Sequence, residues 1–211
     1  PDRPCKRISD DDPIVVDKPL DAGRALLVSF TRHASLIIQN AQLYEKTQEL
    51  AIRDGLTNLY NHRHFQSRLQ EVLGAATRQS QPVSLMIGDI DNFKHFNDTH
   101  GHPQGDAILR ELAGILIRST RGSDVVARYG GEEFVIILPD TPREGAMALG
   151  EIILNKIRQH PFPHGETQPN GRVSMTLGLA TFPAEAREAD ALIKLADTRL
   201  YAGKKAGKDR V

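Results

Sequence analysis

The stretch RYGGEEFVIILPD, residues 128–140, decides the fold of this 211-residue chain because it joins a pair of glycines to a long apolar run. Gly130 and Gly131 predict a two-residue hairpin turn with positive φ at both positions. The apolar residues that follow predict a buried β-strand. Glu132 and Glu133 lie where the turn meets this strand, and the side-chain period of two sends them to opposite faces. Paired carboxylates at the end of a buried strand indicate a bound cation.

The segments on either side of this hairpin alternate between helix and strand patterns. QPVSLMIGDID predicts a strand before it, GRVSMTLGLATF predicts a strand after it, and apolar residues three and four apart predict the helices between them. The resulting order, β-α-β-β-α-β with a closing helix, is that of a ferredoxin-like split βαβ arrangement. We therefore predict an α+β fold with an antiparallel central sheet wrapped by helices.

A long helix is predicted before this core, over residues 26–53. The segment contains no glycine or proline, and Leu36, Leu43 and Leu50 repeat every seven residues beside a second apolar row. This heptad pattern predicts a coiled-coil stalk that pairs with a copy of itself. The alternative is an amphipathic helix packed on its own domain. Residues 1–25 are predicted to be a linker or the tail of an upstream domain.

The composition argues against several function classes. The chain has 27 basic and 27 acidic residues, so no global positive field favours binding to a nucleic acid polymer. No apolar run approaches the roughly 18 residues of a membrane span. The single Cys5 fits a reducing compartment. We therefore expect a cytoplasmic protein without membrane contact, and a chain that begins without Met is expected to be a piece of a longer protein.

A second acidic group lies on the strand before the hairpin. Asp89 and Asp91 in GDIDNFK are predicted to share one face of that strand, next to the hairpin that carries Glu132 and Glu133. Such a cluster is unfavourable through repulsion and desolvation unless a cation offsets it. Mg²⁺, which is held by one or two carboxylates and completed by phosphates, fits this site. Taken singly, each motif favours solvated acids in turns over a metal site.

Polar residues that suit a nucleotide follow the same strand. FNDTHGHPQGDAIL places Asn97, His102 and Asp106 on a loop and a first helical turn. A carboxylate can accept from the ring N–H and exocyclic amine of guanine, and an amide can pair beside it. The last helix ends in a basic cluster that can meet phosphates: Lys204, Lys205 and Lys208. Each of these residues alone is also consistent with an ordinary cap, turn or surface position.

Five motifs, in this order and at these spacings, resemble the GGDEF domain of bacterial diguanylate cyclases: DGLTNLYNHRHF, DIDNFKHFND, GHPQGDAIL, RYGGEEF and ADTRLYAGKKAGK. The resemblance covers about residues 51–211. It implies a nucleotidyl-cyclase-like fold and a GGDEF catalytic domain over residues 54–211. It also implies that two GTP molecules are joined into cyclic di-GMP with release of two pyrophosphates, by a homodimer formed through the N-terminal helix.

The resemblance implies a chemical role for each matching residue. By this resemblance Asp89, the Ile90 carbonyl and Glu132 hold Mg²⁺ or Mn²⁺ on the GTP phosphates, with Glu133 in support. Glu132 is also the candidate base for the attacking 3′-hydroxyl. Lys94 offsets charge on the transferring phosphoryl group.

The same motifs imply the following substrate-binding residues: Phe93, Asn97, His102, Asp106, Gly130, Gly131, Lys204 and Lys208. Among them, Asn97 and Asp106 bind guanine, whereas Lys204 and Lys208 reach the triphosphate. Lys208 stands where an arginine is usual, so it keeps the charge but lacks the bidentate fork.

The segment RGSD, Arg121 to Asp124, resembles the RxxD product-inhibition site of the family, which implies cyclic di-GMP as both product and inhibitor. Three alternatives remain: a catalytically silent module that binds GTP or cyclic di-GMP, an enzyme that makes another cyclic nucleotide, and a structural dimerisation protein. The intact GGEEF residues disfavour the first, and Asp106, which suits guanine donors, disfavours the second. The third leaves the acids, amide and lysines unexplained.

Overall fold

The structure, a computed structural model, describes residues 27–39 and 52–211. These two ranges belong to different units of the chain and are described separately. The tail predicted for residues 1–25 lies outside the described residues, and so do stalk positions 26 and 40–51. No helix within the described ranges combines the length and the apolarity needed to cross a bilayer.

The first unit contains helix α1, residues 27–39. Its large apolar side chains are about half to three-quarters exposed: Leu27, Val28, Phe30, Leu36, Ile37 and Ile38. A helix with this much apolar surface is typical of one that is covered by a partner. Helix formation at residues 27–39 is therefore observed, while self-pairing of the stalk stays a prediction.

The described part of the second unit, residues 52–211, contains a four-stranded sheet and five α-helices. The strands are β1 (Val83–Ile90), β2 (Val125–Arg128), β3 (Glu133–Pro139) and β4 (Met175–Phe182). The helices are α2 (His62–Gln79), α3 (Phe93–His100), α4 (His102–Ser119), α5 (Arg143–Gln159) and α6 (Ala189–Lys205). A short 3₁₀ helix, Gly165–Thr167, lies between α5 and β4.

The sheet has the order β2-β3-β1-β4, and each neighbouring pair is antiparallel. This confirms the predicted α+β fold. The central strand β1 is buried along its whole length, and two apolar clusters contain the residues that alternate along it. Met86 packs in the same cluster as residues of α4 and α5, whereas Leu85 packs with residues of α2 and α6. Helices therefore cover both faces of the sheet.

The connection between β2 and β3 differs from the prediction. A four-residue loop, 129–132, separates the two strands. The N–H groups of Tyr129 and Gly130 both donate to the Glu133 carbonyl, at 2.8 and 3.3 Å. Neither Gly130 nor Gly131 has a positive φ. The predicted two-residue turn is wrong because a longer loop reverses the chain without the left-handed conformation that such a tight turn requires.

Candidate active site

Three carboxylates converge where β1 ends and β3 begins, and we call them the acidic cluster: Asp89, Glu132 and Glu133. Asp89 and Glu133 are direct cross-strand partners. The Ile90 N–H donates to the Glu132 carbonyl at 3.3 Å, which holds the loop against β1. Burial is the largest influence and raises the pKa of all three carboxyl groups, and the charge of Asp89 raises the pKa of both glutamates further.

The charge of Asp89 acts on both glutamates, so both lie near it. Glu132 lies in the loop before β3, so strand alternation does not apply to it. A Cβ atom at Gly130 would lie 2.4 Å from Glu133 Oε2, so the glycine leaves room for this carboxylate. Gly131 is exposed, and a Cβ atom there would meet nothing within 4 Å. The loop thus leaves open space beside the acidic cluster.

Two of the predicted phosphate-binding lysines lie next to this cluster. Lys204 Nζ is 2.6 Å from Asp89 Oδ1. The Lys208 ammonium donates to Asn92 Oδ1, and its positive charge contributes to lowering the pKa of Asp89, against the larger effect of burial. The end of β1 therefore combines repelled carboxylates with ammonium groups, which is the mixture that a metal-bound triphosphate requires.

The acidic cluster fits a divalent cation that substrate phosphates complete. Among residues 27–39 and 52–211, no three acidic, imidazole or thiol side chains form a metal cage. Mg²⁺ does not require one, since it is commonly bound through one or two carboxylates and phosphate oxygens. Burial first, and neighbouring negative charges second, raise the pKa of Asp89 and Glu132, and a bound cation would favour their charged forms.

Asp91 does not belong to the acidic cluster. Asp91 follows β1 directly and is only 3% exposed, and its side chain contacts Thr176, the cross-strand partner of Asp89, which is consistent with the predicted shared face. Its Oδ2 accepts from the Ser174 hydroxyl at 2.7 Å and from the Asp209 backbone N–H at 3.1 Å, and its Oδ1 accepts from the Thr176 hydroxyl at 2.7 Å. Asp91 is therefore an anchor residue: it joins the chain after β1 to β4 and to the C-terminal segment.

The residues predicted to bind the base lie where α3 meets α4. Asn97 Oδ1 is buried and has no hydrogen-bond partner among the described residues. A Cβ atom at Gly105 would lie 1.9 Å from that oxygen, so the glycine allows the two helices to approach. His102 and Asp106 lie one turn apart on the same first stretch of α4. An unpaired buried acceptor suits a ligand with an N–H donor.

The other two predicted residues of α3 have different surroundings. Phe93 is 6% exposed and belongs to the apolar core. Its Cζ atom would lie 3.1 Å from a Cβ atom at Gly105. It therefore shapes the α3–α4 contact. Lys94 is exposed at the start of the same helix, next in sequence to the buried Phe93.

The predicted inhibitory pair lies together at the other end of β2. The Arg121 N–H donates to Asp124 Oδ2 at 2.7 Å, and the Asp124 N–H donates to the Arg121 carbonyl at 3.1 Å. Both residues line a shallow cavity of about 200 Å³, whose other walls include Gly145, Leu149 and Ile152. Since Asp124 directly precedes β2, this cavity and the acidic cluster lie at opposite ends of that strand.

Sequence reasoning missed a bridge that ties the segment before α2 to the hairpin. Arg128 Nη1 donates to both carboxylate oxygens of Asp54, at 3.1 and 3.2 Å, and Arg128 Nη2 donates to the Gly131 carbonyl at 2.7 Å. Burial raises the pKa of Asp54, but hydrogen bonds from Thr57 and Arg128 outweigh it and lower the pKa overall. The available signal was that Asp54 and Arg128, which have opposite charges, begin two of the recognised motifs.

Sequence reasoning also missed the roles of Gly105 and Asn92. A glycine inside a helical pattern is a signal of close backbone approach, so Gly105 was open to prediction. Asn92, which accepts from Lys208, lies 116 residues away from it, and no local pattern indicates that contact.

Comparison with known proteins identifies the family and several relatives of this chain. The family model described as "Diguanylate cyclase, GGDEF domain" matches residues 51–210. The response regulator PleD of Caulobacter vibrioides is 40% identical over 165 residues, covering 77% of this chain and 36% of PleD. Diguanylate cyclase A of Treponema denticola is 31% identical over 194 residues, covering 90% of this chain and 51% of that protein. The chain thus spans about a third to a half of the length of these curated relatives.

Solved structures show the same likeness. The coiled coil and GGDEF domain of DgcB from Caulobacter crescentus, in complex with c-di-GMP, matches with a TM-score of 0.80 and 29% identity, covering 89% of this chain and 98% of that one. The active GGEEF domain of a diguanylate cyclase from Vibrio cholerae matches with a TM-score of 0.65 and 30% identity, covering 71% of this chain and 94% of that one.

Proposed function

The chain belongs to the diguanylate cyclase GGDEF domain family, and on that premise we propose that it is an active cyclase that condenses two GTP molecules into cyclic di-GMP. The observation that carries the proposal is the meeting of the acidic cluster with Lys204 and Lys208 at the end of β1. Repelled carboxylates beside ammonium groups suit a triphosphate that brings a divalent cation with it.

The guanine base is bound where α3 meets α4. The Asp106 carboxylate accepts from the ring N–H and the 2-amino group of guanine, which adenine does not present in this arrangement. Asn97 Oδ1, buried without a partner in the described part of the chain, takes a further donor of the nucleoside. His102, exposed one turn before Asp106, borders the same site.

The triphosphate lies over the end of β1. Asp89, the Ile90 carbonyl and Glu132, with Glu133 in support, would hold Mg²⁺ or Mn²⁺, and the ion supplies charge neutralisation for the phosphates when bound. Lys204 and Lys208 pair with phosphate oxygens as point charges.

Lys94, exposed at the start of α3, offsets the charge that develops on the transferring phosphoryl group. Each 3′-oxygen attacks the α-phosphorus of the other GTP, so that one P–O bond forms while the bond to pyrophosphate breaks. Two such steps close the ring and release two pyrophosphates and two protons. Glu132 is placed as the general base that accepts the proton of the 3′-hydroxyl.

One domain supplies one GTP, so the reaction requires two chains that face each other. Residues 26–53 are proposed as the stalk that pairs them and residues 54–211 as the catalytic domain. The exposed apolar side chains of α1 support this pairing. Joining two domains through a stalk raises the effective concentration of one bound GTP for the other. An upstream domain would then control activity by changing the geometry of the stalk.

Product inhibition at the RxxD segment is the second regulatory element of the proposal. The Arg121 and Asp124 side chains border one cavity, and an arginine with a carboxylate suits a ligand that offers both phosphate and guanine. The DgcB structure similar to this chain contains c-di-GMP. Binding of the product at this cavity would lower turnover as product accumulates.

A product assay tests the proposed function. The protein is incubated with GTP and Mg²⁺, and nucleotides are separated by chromatography beside the Glu132→Gln and Arg121→Ala variants. We expect cyclic di-GMP from the parent, little from Glu132→Gln, and a longer phase of synthesis from Arg121→Ala. Another cyclic nucleotide as the product would contradict the guanine assignment.

A parent that folds and binds GTP without making product is tested again with a leucine zipper fused to its N-terminus. Restored synthesis shows that assembly was limiting, because the zipper replaces only the pairing of the stalk. Continued inactivity favours the silent binding module.

A further inference from the structure

The segment that follows α6 holds an unusual backbone conformation beside the acidic cluster. Gly207 has a φ of 116°, and the next two residues, Lys208 and Asp209, have φ values of 64° and 51°. Two consecutive residues with side chains in the left-handed region are uncommon, and such conformations persist only where the surroundings hold them. Contacts of the neighbouring residues must therefore maintain this segment.

Few contacts fix the position of the Lys208 side chain. Its ammonium donates to the neutral Asn92 Oδ1, the one hydrogen bond that this group makes among the described residues. The Lys208 N–H donates to the Gly203 carbonyl at 3.0 Å, which continues the end of α6. Because these contacts are few, we attribute the direction of the Lys208 side chain to the backbone position of the next residue, Asp209.

Asp209, in contrast, is held at every polar group. Arg158 Nε donates to Asp209 Oδ1 at 2.8 Å, and Arg172 Nη2 donates to Asp209 Oδ2 at 2.9 Å. Arg158 Nη2 also donates to the Asp209 carbonyl at 2.7 Å. The Asp209 N–H donates to Asp91 Oδ2 and to Thr176 Oγ1, each at 3.1 Å. The Asp209 side chain is only 14% exposed, so these bonds lie in a partly dry environment.

Four parts of the fold therefore meet at Asp209. Their contributions are Arg158 of α5, Arg172 of the segment before β4, Thr176 of β4, and Asp91 directly after β1. The same Asp91 stands two residues after Asp89 of the acidic cluster, and Asn92 follows it directly. The anchor of Asp209 and the acceptor of Lys208 are thus neighbours in the chain, which sets the position of Lys208 relative to the acidic cluster.

We infer that Asp209, held by Arg158 and Arg172, is a positioning residue that directs the Lys208 ammonium toward the substrate phosphates. The inference rests on the proposed function, which supplies the triphosphate. Neither arginine contacts the substrate in this arrangement; both act through Asp209. The competing explanation is that the ion pairs stabilise the fold and leave Lys208 unaffected.

The test uses Asp209→Asn, because asparagine keeps the size of the side chain and tolerates the left-handed region while removing the charge that the arginines bind. The dissociation constant of a non-hydrolysable GTP analogue is measured with Mg²⁺, together with KM and kcat for GTP. We expect Kd and KM to rise about fivefold while kcat changes less than about twofold, since one phosphate contact is weakened.

A double-mutant cycle separates positioning from general stability. If Asp209 acts through Lys208, the analogue binds to Lys208→Ala/Asp209→Asn about as tightly as to Lys208→Ala alone. The matched control is Glu185→Gln, which also removes a carboxylate held by two arginines. Glu185 lies just after the far end of β4 from the acidic cluster, and this variant is expected to leave Kd unchanged.

Three results overturn the inference: an unchanged Kd in Asp209→Asn, a double variant whose loss is the product of the two single losses, or an equal shift in Glu185→Gln. Binding of the analogue requires no turnover, so failure of the proposed function remains distinguishable. A parent that binds the analogue but makes no cyclic di-GMP contradicts the proposed function. The double-mutant cycle, measured as dissociation constants of the analogue, still decides whether Asp209 positions Lys208. A parent that binds no guanine nucleotide overturns both.

Discussion

The pKa values of carboxyl groups shift in opposite directions at the two ends of the sheet. At the end of β1, burial raises the pKa of Asp89, Glu132 and Glu133, and their mutual repulsion is only partly offset. Beyond the far end of β4, Arg199 donates to Glu185 Oε1 at 2.8 Å and Arg143 donates to the same oxygen at 3.0 Å. These bonds, led by those from Arg199, lower the pKa of Glu185.

The difference teaches which carboxylates serve the fold and which serve a ligand. A carboxylate with a lowered pKa in the folded state stabilises the fold above its ordinary pKa, and this contribution is lost as the pH falls through its folded pKa. A carboxylate with a raised pKa behaves oppositely, since stability falls as the pH rises from its ordinary pKa through its folded pKa. The acidic cluster therefore costs stability at neutral pH, which is typical of a site arranged for a ligand.

The largest expected effect is on turnover by Glu132→Gln. We expect cyclic di-GMP synthesis to fall at least about 100-fold, because the amide can neither accept the 3′-hydroxyl proton nor neutralise a cation. Thermal unfolding should show no loss of stability at neutral pH, since the substitution removes a repelled charge. A destabilised variant, or one that keeps its turnover, would contradict the claim that the acidic cluster serves a ligand at the expense of stability.

Asp91→Asn is expected to lower the free energy of unfolding by about 2 kcal/mol, the scale of hydrogen bonds to a charged group. The reason is that Ser174, Thr176 and the Asp209 N–H lose a charged acceptor. Denaturant unfolding measures the loss, with Asp98→Asn on the exposed side of α3 as the control. Equal stability of the two variants would show that Asp91 is not an anchor.

Mg²⁺ is expected to stabilise the folded parent by about 1.4 kcal/mol at ten times its dissociation constant, because it binds only the folded state. The shift should vanish in Asp89→Asn, which removes a proposed ligand of the ion. It should persist in Glu185→Gln, whose carboxylate lies at the other end of the sheet. Thermal unfolding with and without a chelator measures the shift, and a shift that survives Asp89→Asn would place the ion elsewhere.

Glu185→Gln is expected to show the smallest effect, a loss of about 1 kcal/mol at pH 7, because partly exposed ion pairs contribute little. The lowered pKa of Glu185 requires this loss to shrink as the pH falls through its folded pKa. Urea unfolding at pH 7 and at about pH 3 tests this dependence. A loss that stays constant with pH would indicate that packing, and not charge, is responsible.

The sequence predicted the parts of the fold that depend on local patterns. Apolar runs and turn residues located the strands, and the confirmed antiparallel order follows from the arrangement of those strands with the helices between them. The motifs predicted Asp89 and Glu132 as site residues, because one lies near the end of β1 and the other directly precedes β3. The hairpin prediction was wrong because paired glycines indicate flexibility without setting the length of a loop.

What the sequence by itself determined is the type of each element and the chemical groups available at its ends, since these follow from side-chain period and residue type. Only the tertiary structure decided which groups meet. Asp89 and Asp91, two residues apart with similar burial, separate into a repelled carboxylate and a saturated anchor. The physical reason is that Ser174, Thr176 and Asp209 supply donors from more than 80 residues away.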